Sequence, residues 1–370
     1  MIISRYLIKE IASTIFAVTL VLLLIFMCNQ VVRYLGYAAS GKIGANILVQ
    51  LIGFEIPNLL ALLLPLGVFL GIIFAYSKLY AENEMRVMHL SGLSVQRLVR
   101  MTGFAAFFVS VLVMILTCWI NPYVAAARDK LILQSVSIEN LMNTLVAGRF
   151  QVIGGKDAQR VIYVEHVTRN HHEASHLFFA DQHINKKGQT NWSVISADKG
   201  YPLRDIKTNS HYVVTTDGFR YEGTPGQNNY KIIQFDKYAV RIPDHVNTLN
   251  TQQFDVMPTF LLWQHYYQNK ENAAELQWRL SIPLSAFLLA MLAIPLSKTR
   301  PRQGRYTHLL PAILIYVIYI NLLFVARDWM QTTKWIGHFG LWWVHAGLIL
   351  MIGFAFLLQS SWVQMMRRSI

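Results

Sequence analysis

Long apolar segments on both sides of one polar block dominate the sequence and predict its architecture. The first apolar run is long enough to cross roughly 30 Å of hydrocarbon and too long for the core of a signal peptide. We therefore expect six transmembrane helices, three before the polar block and three after it. The expected spans are Ile11–Val32, Ile47–Tyr76, about Val99 or Thr102 to Ile120, Leu280–Leu296, Leu309–Val325 and Leu341–Leu358.

The polar block, Asn121–Trp278, contains short runs rich in β-branched and aromatic residues, separated by Gly, Asn, Asp and Pro clusters. This pattern is typical of antiparallel strands. We expect an all-β domain of sandwich or jelly-roll type inserted into an α-helical polytopic membrane protein, with a helical return at Leu261–Leu276. The predicted domains are 1–120, 121–278 and 279–370. The predicted strands are Arg160–Val167, His176–Ala180, Trp192–Ala197, Tyr212–Thr216 and Tyr230–Phe235.

Composition agrees with a membrane protein. Of 370 residues, 54% are hydrophobic and only 14% are charged, against about a quarter charged in soluble domains. The net charge of +13 does not indicate nucleic-acid binding, because the polar block holds 16 Lys and Arg against 15 Asp and Glu. A nucleic-acid-binding protein gathers its basic residues on a soluble face.

The excess positive charge lies beside the apolar segments, and it is unequal on the two sides of the predicted membrane. Cytoplasmic loops of membrane proteins are enriched in Lys and Arg. One side holds twelve of these residues and the other holds four, which places both termini in the cytoplasm and the β domain outside, in the periplasm of a bacterium. The twelve are Arg5, Lys9, Lys78, Arg86, Arg97, Arg100, Lys298, Arg300, Arg302, Arg305, Arg367 and Arg368; the four are Arg33, Lys42, Arg327 and Lys334.

The cytoplasmic stretch after the second span has the pattern of a short amphipathic helix, at about 77–91. Gly92 suits the end of this helix, and Ser94 suits the N-cap of the next. Either the helix is a connector, or it is a docking helix for a soluble partner. A solvated charged face is expected of any interfacial helix, so the pattern leaves both readings open.

Two motif matches are weak. His172, Glu173 and His176 form a literal H-E-x-x-H, but a zinc protease needs both histidines on one helix face, and this stretch lies between two predicted strands. Gly36–Ile43 resembles a phosphate loop but has Ile43 where Ser or Thr should hold magnesium. We expect no catalytic site, metal or cofactor in this chain.

Several stretches resemble a known family. They are Met1–Glu10, Leu79–Ser94, and Pro295–Ser297 followed by Pro301–Arg305. Together with the order of three spans, a β domain and three spans, they are similar to the lipopolysaccharide export permeases of the LptF/LptG family. The resemblance covers essentially the full chain. It implies a non-catalytic half-transporter of an inner-membrane exporter, which extracts lipopolysaccharide and passes it through a periplasmic jelly-roll domain.

The same resemblance implies partners and roles. The partners are an LptG-type permease, a dimeric LptB-type ATPase that binds ATP and magnesium, and an LptC-type single-span protein. The residue matching Glu84 docks into the ATPase, and Glu82, Arg86 and Met88 are assigned to the same surface. Arg33, and with it Lys42, is a candidate contact for lipid phosphates. Candidate acyl-chain contacts on the β domain, or else core residues, are Phe178, Phe179, Val213 and Ile232.

Two other functions compete with export. A membrane-anchored sensor or scaffold would use the outer β domain for binding and would need no ATPase contact. A membrane-anchored zinc protease would bind metal at His172 and His176.

Overall fold

The structure is a computed structural model. It describes residues 2–39, 45–135, 147–153, 160–168, 173–184, 190–205, 210–224, 226–227, 230–242, 253–298, 309–332 and 340–359. The chain divides into two compact units. The helical unit comprises Met1–Asn29, Phe54–Ala126 and Gln252–Ile370, and the second unit comprises Gln30–Gly53 and Ala127–Thr251.

Long helices form most of the helical unit. Helix α4 continues through a π-helical turn, Leu116–Ile120, directly into α5, so the three make one long helix. The helices are α1 Ile2–Ala39, α2 Leu48–Ala81, α3 Glu84–Leu90, α4 Val95–Ile115, α5 Asn121–Ser135, α6 Gln253–Val256, α7 Thr259–Gln264, α8 Lys270–Leu296, α9 Leu309–Thr332 and α10 Trp342–Gln359. A short 3-10 turn, Ala45–Ile47, precedes α2.

Within the described residues, five helices are long and apolar enough to cross a membrane: Ile3–Ala39, Leu48–Ala81, Val95–Ile132, Lys270–Leu296 and Leu309–Thr332. These confirm the first five predicted spans. The sixth prediction corresponds to a shorter apolar helix, Trp342–Leu358. Its length, at 1.5 Å per residue, is at the lower end of what crosses a bilayer.

The core of the helical unit is built around α2 and α8. In the most apolar stretch of each, 72% of the residues are buried, against 17–28% for the spans formed by α1, α4 and α9. Helix α8 packs against α4, α9 and α10. Because α1, α4 and α9 keep large apolar side chains exposed, including Phe104, Phe107 and Phe108 on α4, their outer faces are suited to lipid or to another membrane helix.

Helices α1 and α2 approach each other at two glycines. A Cβ atom added to Gly71 would lie 2.7 Å from the Cα atom of Ile15, and one added to Gly67 would lie 2.1 Å from Oγ1 of Thr19. Gly67 and Gly71 are four residues apart and therefore lie on one face of α2. This is the small-xxx-small spacing that lets membrane helices pack closely.

The second unit contains one antiparallel sheet of six strands in chain order. All five predicted strands are present and most are longer than predicted, and β1 is additional. The described pairings form a meander, and the crossing connections of a jelly roll are not among them. The predicted class, a helical membrane protein with an inserted all-β domain, is confirmed. The strands are β1 Gln151–Ile153, β2 Arg160–Val167, β3 Ala174–Ile184, β4 Thr190–Asp205, β5 Ser210–Gly223 and β6 Lys231–Ile242.

One face of this sheet carries a continuous apolar cluster, although strict alternation is broken along the strands. Ala174 and Leu177 both belong to the cluster although they are three residues apart in β3. Between them His176 has φ +51°, and in β5 Asp217 has φ +54°. Such left-handed residues re-aim the side chains that follow. The cluster comprises Ile162, Val164, Ala174, Leu177, Phe179, Ile195 and Val213, with Val167, Phe235, Tyr238 and Val240 packed against it.

Candidate functional site

Helix α3 is separated from α2 by a sharp turn. Helix α2 ends at Ala81, and Asn83, with φ +61°, lies in the turn before α3. Asparagine is one of the few residues that tolerate this left-handed conformation. The predicted helix at about 77–91 is therefore the last turn of α2 plus the separate helix Glu84–Leu90. The predicted end signals are confirmed, since Gly92 has φ +94° and Oγ of Ser94 accepts the backbone N–H of Arg97 at 3.3 Å.

One face of α3 is packed and the other is exposed. Met85 and Met88 are buried in the same cluster as Leu7 and Ile11 of α1. Leu90, at the end of the helix, is 89% exposed. The start of α1 and the packed face of α3 are therefore parts of one buried apolar core, which holds α3 in place.

A groove of about 370 Å³ lies between the first turns of α1 and α3. The hydroxyl of Tyr6 donates a hydrogen bond to Oε2 of Glu84 at 2.8 Å across it. Three of the four predicted docking residues line this groove, whereas Arg86 is exposed and is not among the lining residues. The lining residues are Ile3, Tyr6, Glu82, Asn83, Glu84, Val87 and Met88.

A salt bridge near the groove joins α1 to α2. Nζ of Lys78, in the last turn of α2, lies 2.7 Å from Oε1 of Glu10 in α1. Since both side chains are partly exposed, the contribution of this pair to stability is about 0–1 kcal/mol. The bridge joins α1 to α2, and neither of its residues lines the groove.

The second unit contains the candidate phosphate site. Arg33, in the last two turns of α1, is exposed, and its guanidinium carbon lies 5.9 Å from the ring centre of Tyr34. Tyr34 is buried with Ile47, Leu51 and Ile132, so it provides a fixed support for the cation. The predicted partner Lys42 lies outside the described residues.

A further cation that the sequence interpretation missed lies close to the end of α1. Nη1 of Arg149 donates to the carbonyl oxygen of Ala39 at 3.0 Å. Cations are favoured at this end of a helix because its last carbonyl groups carry partial negative charge. Arg149 stands alone in a loop-like stretch of sequence, so no spacing pattern pointed to it.

The four candidate acyl-chain contacts do not share one surface. Phe179 and Val213 belong to the buried apolar cluster of the sheet. Phe178 is the neighbour of Phe179 in β3 and faces the other side, where its ring lies 6.2 Å from that of Phe150. The register of β3 to β6 places Ile232 on the Phe178 side, and Ile232 is 53% exposed.

The H-E-x-x-H segment does not form the helix that a zinc protease needs. Ala174–Ile184 is a strand, and His172 lies outside the described residues. Nδ1 of His176 lies 3.3 Å from Oε2 of Glu165 on the neighbouring strand. In the part of the chain that is described, no three His, Cys, Asp or Glu side chains come together as metal ligands.

The helical unit contains a buried ionic cluster that the sequence interpretation also missed. Arg279 and Glu275, one turn apart on α8, are 3% and 5% exposed, and Nε of Arg279 lies 2.8 Å from Oε1 of Glu275. Arg327 of α9 reaches the other oxygen of Glu275 at 2.6 Å. The i, i+4 spacing of opposite charges at the start of an apolar segment was a readable signal.

Comparison with known proteins identifies the family. The family described as "Lipopolysaccharide export system permease LptF/LptG" matches residues 5–359. The chain belongs to the LptF/LptG family. The "Lipopolysaccharide export system permease protein LptF" of Escherichia coli (strain K12) is 33% identical over 319 residues, which cover 86% of this chain and 84% of the relative. The protein of the same name from Shigella flexneri matches to the same extent.

Membership of the LptF/LptG family confirms the expected function at the level of the whole protein. The chain is a permease subunit of the lipopolysaccharide export system and thus a transport subunit. It is a multi-pass protein of the inner membrane that works with other components of the export complex.

Proposed function

We propose that this permease subunit is one half of a transporter that is driven by a separate ATPase. In this proposal the chain pairs with an LptG-type permease, binds an LptB-type ATPase dimer on its cytoplasmic side and passes lipopolysaccharide to an LptC-type protein on the other. ATP and magnesium are bound by the ATPase, and the chain itself binds no cofactor. The observation that carries the proposal is the acidic groove formed by α1 and α3.

Chain connectivity supports a division of labour across the membrane. Helix α3 precedes the apolar span Val95–Ile132, and the sheet follows it. One crossing therefore separates them, so α3 and the sheet lie on opposite sides of the membrane. The excess of Lys and Arg on the side of α3 makes that side cytoplasmic, with both termini there and the sheet in the periplasm.

An ATPase is needed because extraction of the lipid is costly. Removing acyl chains from the bilayer costs about 0.8 kcal/mol per CH₂ group, which amounts to on the order of 10 kcal/mol for one chain of a dozen such groups. Because ATP is hydrolysed by a separate subunit in this proposal, the resulting conformational change must reach the permease through a contact on its cytoplasmic face. The groove beside Glu84 is the proposed contact, with Glu82, Arg86 and Met88 around it.

The lipid itself is anionic at its phosphates and apolar in its chains. We assign the phosphates to Arg33, Lys42 and Arg149, because cations at the outer end of α1 meet the headgroup without entering the hydrocarbon. We assign the acyl chains to the sheet face of Phe179 and Val213, which must open to receive them. On the opposite face, the strands carry an exposed polar row that would interrupt an apolar path: Glu165, His176, Asp198, Asp217 and Asp236.

Glu84→Ala tests the docking role. The tagged Glu84→Ala chain is purified in mild detergent together with its partners. It is expected to retain about tenfold less of the ATPase subunit than wild type, because the variant removes a carboxylate of the groove. Glu173→Ala, which changes an exposed glutamate in the second unit, is the matched control and is expected to behave as wild type. Co-purifying proteins are quantified by mass spectrometry, together with ATP hydrolysis.

Either of two results would contradict the proposal. If the wild-type chain purifies without an ATPase and a second permease, the driven half-transporter is wrong, and the sensor or scaffold function becomes the next candidate. If the partners are present but Glu84→Ala retains them in full with normal ATP hydrolysis, the groove is not the docking site.

Photo-crosslinking to lipopolysaccharide tests the lipid path. A crosslinking residue at Arg33 is expected to capture the lipid with or without ATP, since that site is reached from the membrane. At Phe179 and Val213, adducts are expected only when ATP is hydrolysed, and they should be at least about fivefold more abundant than at Phe178 and Ile232. Adducts concentrated at Phe178 and Ile232 instead would place the chains on the opposite face.

A further inference from the structure

The acidic groove is formed by two parts of the chain that are far apart in sequence. Ile3 and Tyr6 come from the first turns of α1, and the remaining lining residues come from the α2–α3 turn and α3. Leu7 and Ile11 of α1 and Met85 and Met88 of α3 belong to one buried apolar cluster, which holds these parts together. Packing of this cluster therefore sets the distance between the helix turns that carry Tyr6 and Glu84, and the hydrogen bond between the two side chains is formed across that distance.

The Tyr6 hydroxyl takes one of the two oxygens of Glu84. A carboxylate on a surface helix otherwise rotates among several side-chain conformers, and ordering a rotamer-rich side chain on binding costs about 0.5–1.5 kcal/mol. A hydrogen bond that is already present in the free protein removes part of this cost. It also leaves the second oxygen, Oε1, to a partner.

We propose that Tyr6 is a positioning residue for ATPase docking, and that the first turns of α1 are the second wall of the docking surface. The inference rests on the proposed docking role of Glu84. The groove walls are largely apolar, with Ile3, Val87 and Met88, and its acids are Glu82 and Glu84. The chemistry that fits both is an arginine or lysine side chain of the ATPase, whose aliphatic stem lies on the apolar wall and whose cation meets the carboxylate.

A double-mutant cycle tests this role in the intact complex. ATPase binding to the chain in nanodiscs is measured for wild type, Tyr6→Phe, Glu84→Gln and the double variant. Tyr6→Phe keeps the ring and loses only the hydroxyl, and it is expected to raise Kd about fivefold, the effect of one hydrogen bond of about 1 kcal/mol. In the Glu84→Gln background the same change is expected to have little effect, because the amide still accepts the hydrogen bond but has no negative charge for Tyr6 to present to the partner's cation.

Glu10→Gln is the control for general loosening of α1, because it breaks the Lys78–Glu10 bridge outside the groove and is expected to leave Kd unchanged. Equal losses from Tyr6→Phe in both backgrounds would mean that the Tyr6 hydroxyl acts independently of Glu84 and would overturn the inference. If Glu84→Gln binds the ATPase with the same Kd as wild type, the docking role of Glu84 itself is overturned. A wild-type chain that binds no ATPase would overturn both.

Discussion

Replacing Arg279 with alanine is expected to destabilise the helical unit by about 3–5 kcal/mol, the usual cost of removing one partner from a buried ion pair. The guanidinium donates to Glu275, to the hydroxyl of Thr259 and to three carbonyl groups. The alanine variant leaves the Glu275 carboxylate short of one buried partner. It also leaves the carbonyl oxygens of Phe254, Asp255 and Met257 without these bonds.

The thermal midpoint of the detergent-purified protein measures this effect. Arg279→Ala removes one of the cations beside Glu275 and leaves Arg327 shared between two carboxylates. Arg279→Met combined with Glu275→Leu is therefore expected to be less damaging than Arg279→Ala alone. Arg327 then keeps Asp255 at 3.9 Å as an acidic neighbour. If Arg279→Ala melts together with wild type, the cluster is not a determinant of stability.

Gly71→Ala is expected to separate α1 from α2 at a cost of about 1–3 kcal/mol or more, the usual range for overpacking. The added Cβ would sit 2.7 Å from both Cα and Cγ1 of Ile15. A backbone atom cannot move aside as a flexible side chain can, so the helix itself must shift. Because α1 also carries Tyr6, ATPase binding is expected to weaken along with the thermal midpoint.

Gly53→Ala, on the same helix, is the matched control for Gly71→Ala. No atom lies within 4 Å of a Cβ added there, so the substitution is expected to leave both readouts unchanged. A normal thermal midpoint for Gly71→Ala would show that the two helices do not depend on this close approach.

Features that depend on local sequence were predictable. Five spans follow from the length of their apolar runs, and Gly92 and Ser94 mark the ends of helices by their own backbone chemistry. The helix at 77–91 was predicted as one element because a periodic pattern does not reveal a single left-handed residue such as Asn83. The close approach of α1 and α2 was readable from the spacing of Gly67 and Gly71 but was missed.

Features that join distant parts of the chain were not predictable from one sequence. Tyr6 and Glu84 are separated by 78 residues, and nothing near either residue specifies the other. The sequence also did not show which residues share a face along the whole length of β3, because the left-handed His176 breaks the alternation on which such an assignment depends. Phe178 and Phe179 were grouped together although neighbours in a strand face opposite sides, so this error was avoidable from the sequence.

The meander order of the sheet has a consequence for synthesis of the chain. Each described strand pairs with the strand just before it, so the sheet can grow by successive hairpins as the chain emerges, with little loop closure to wait for. Helix α8, which fills the centre of the helical unit, is made only after the sheet. The first membrane helices must therefore remain without their central packing partner until the whole sheet has been synthesised.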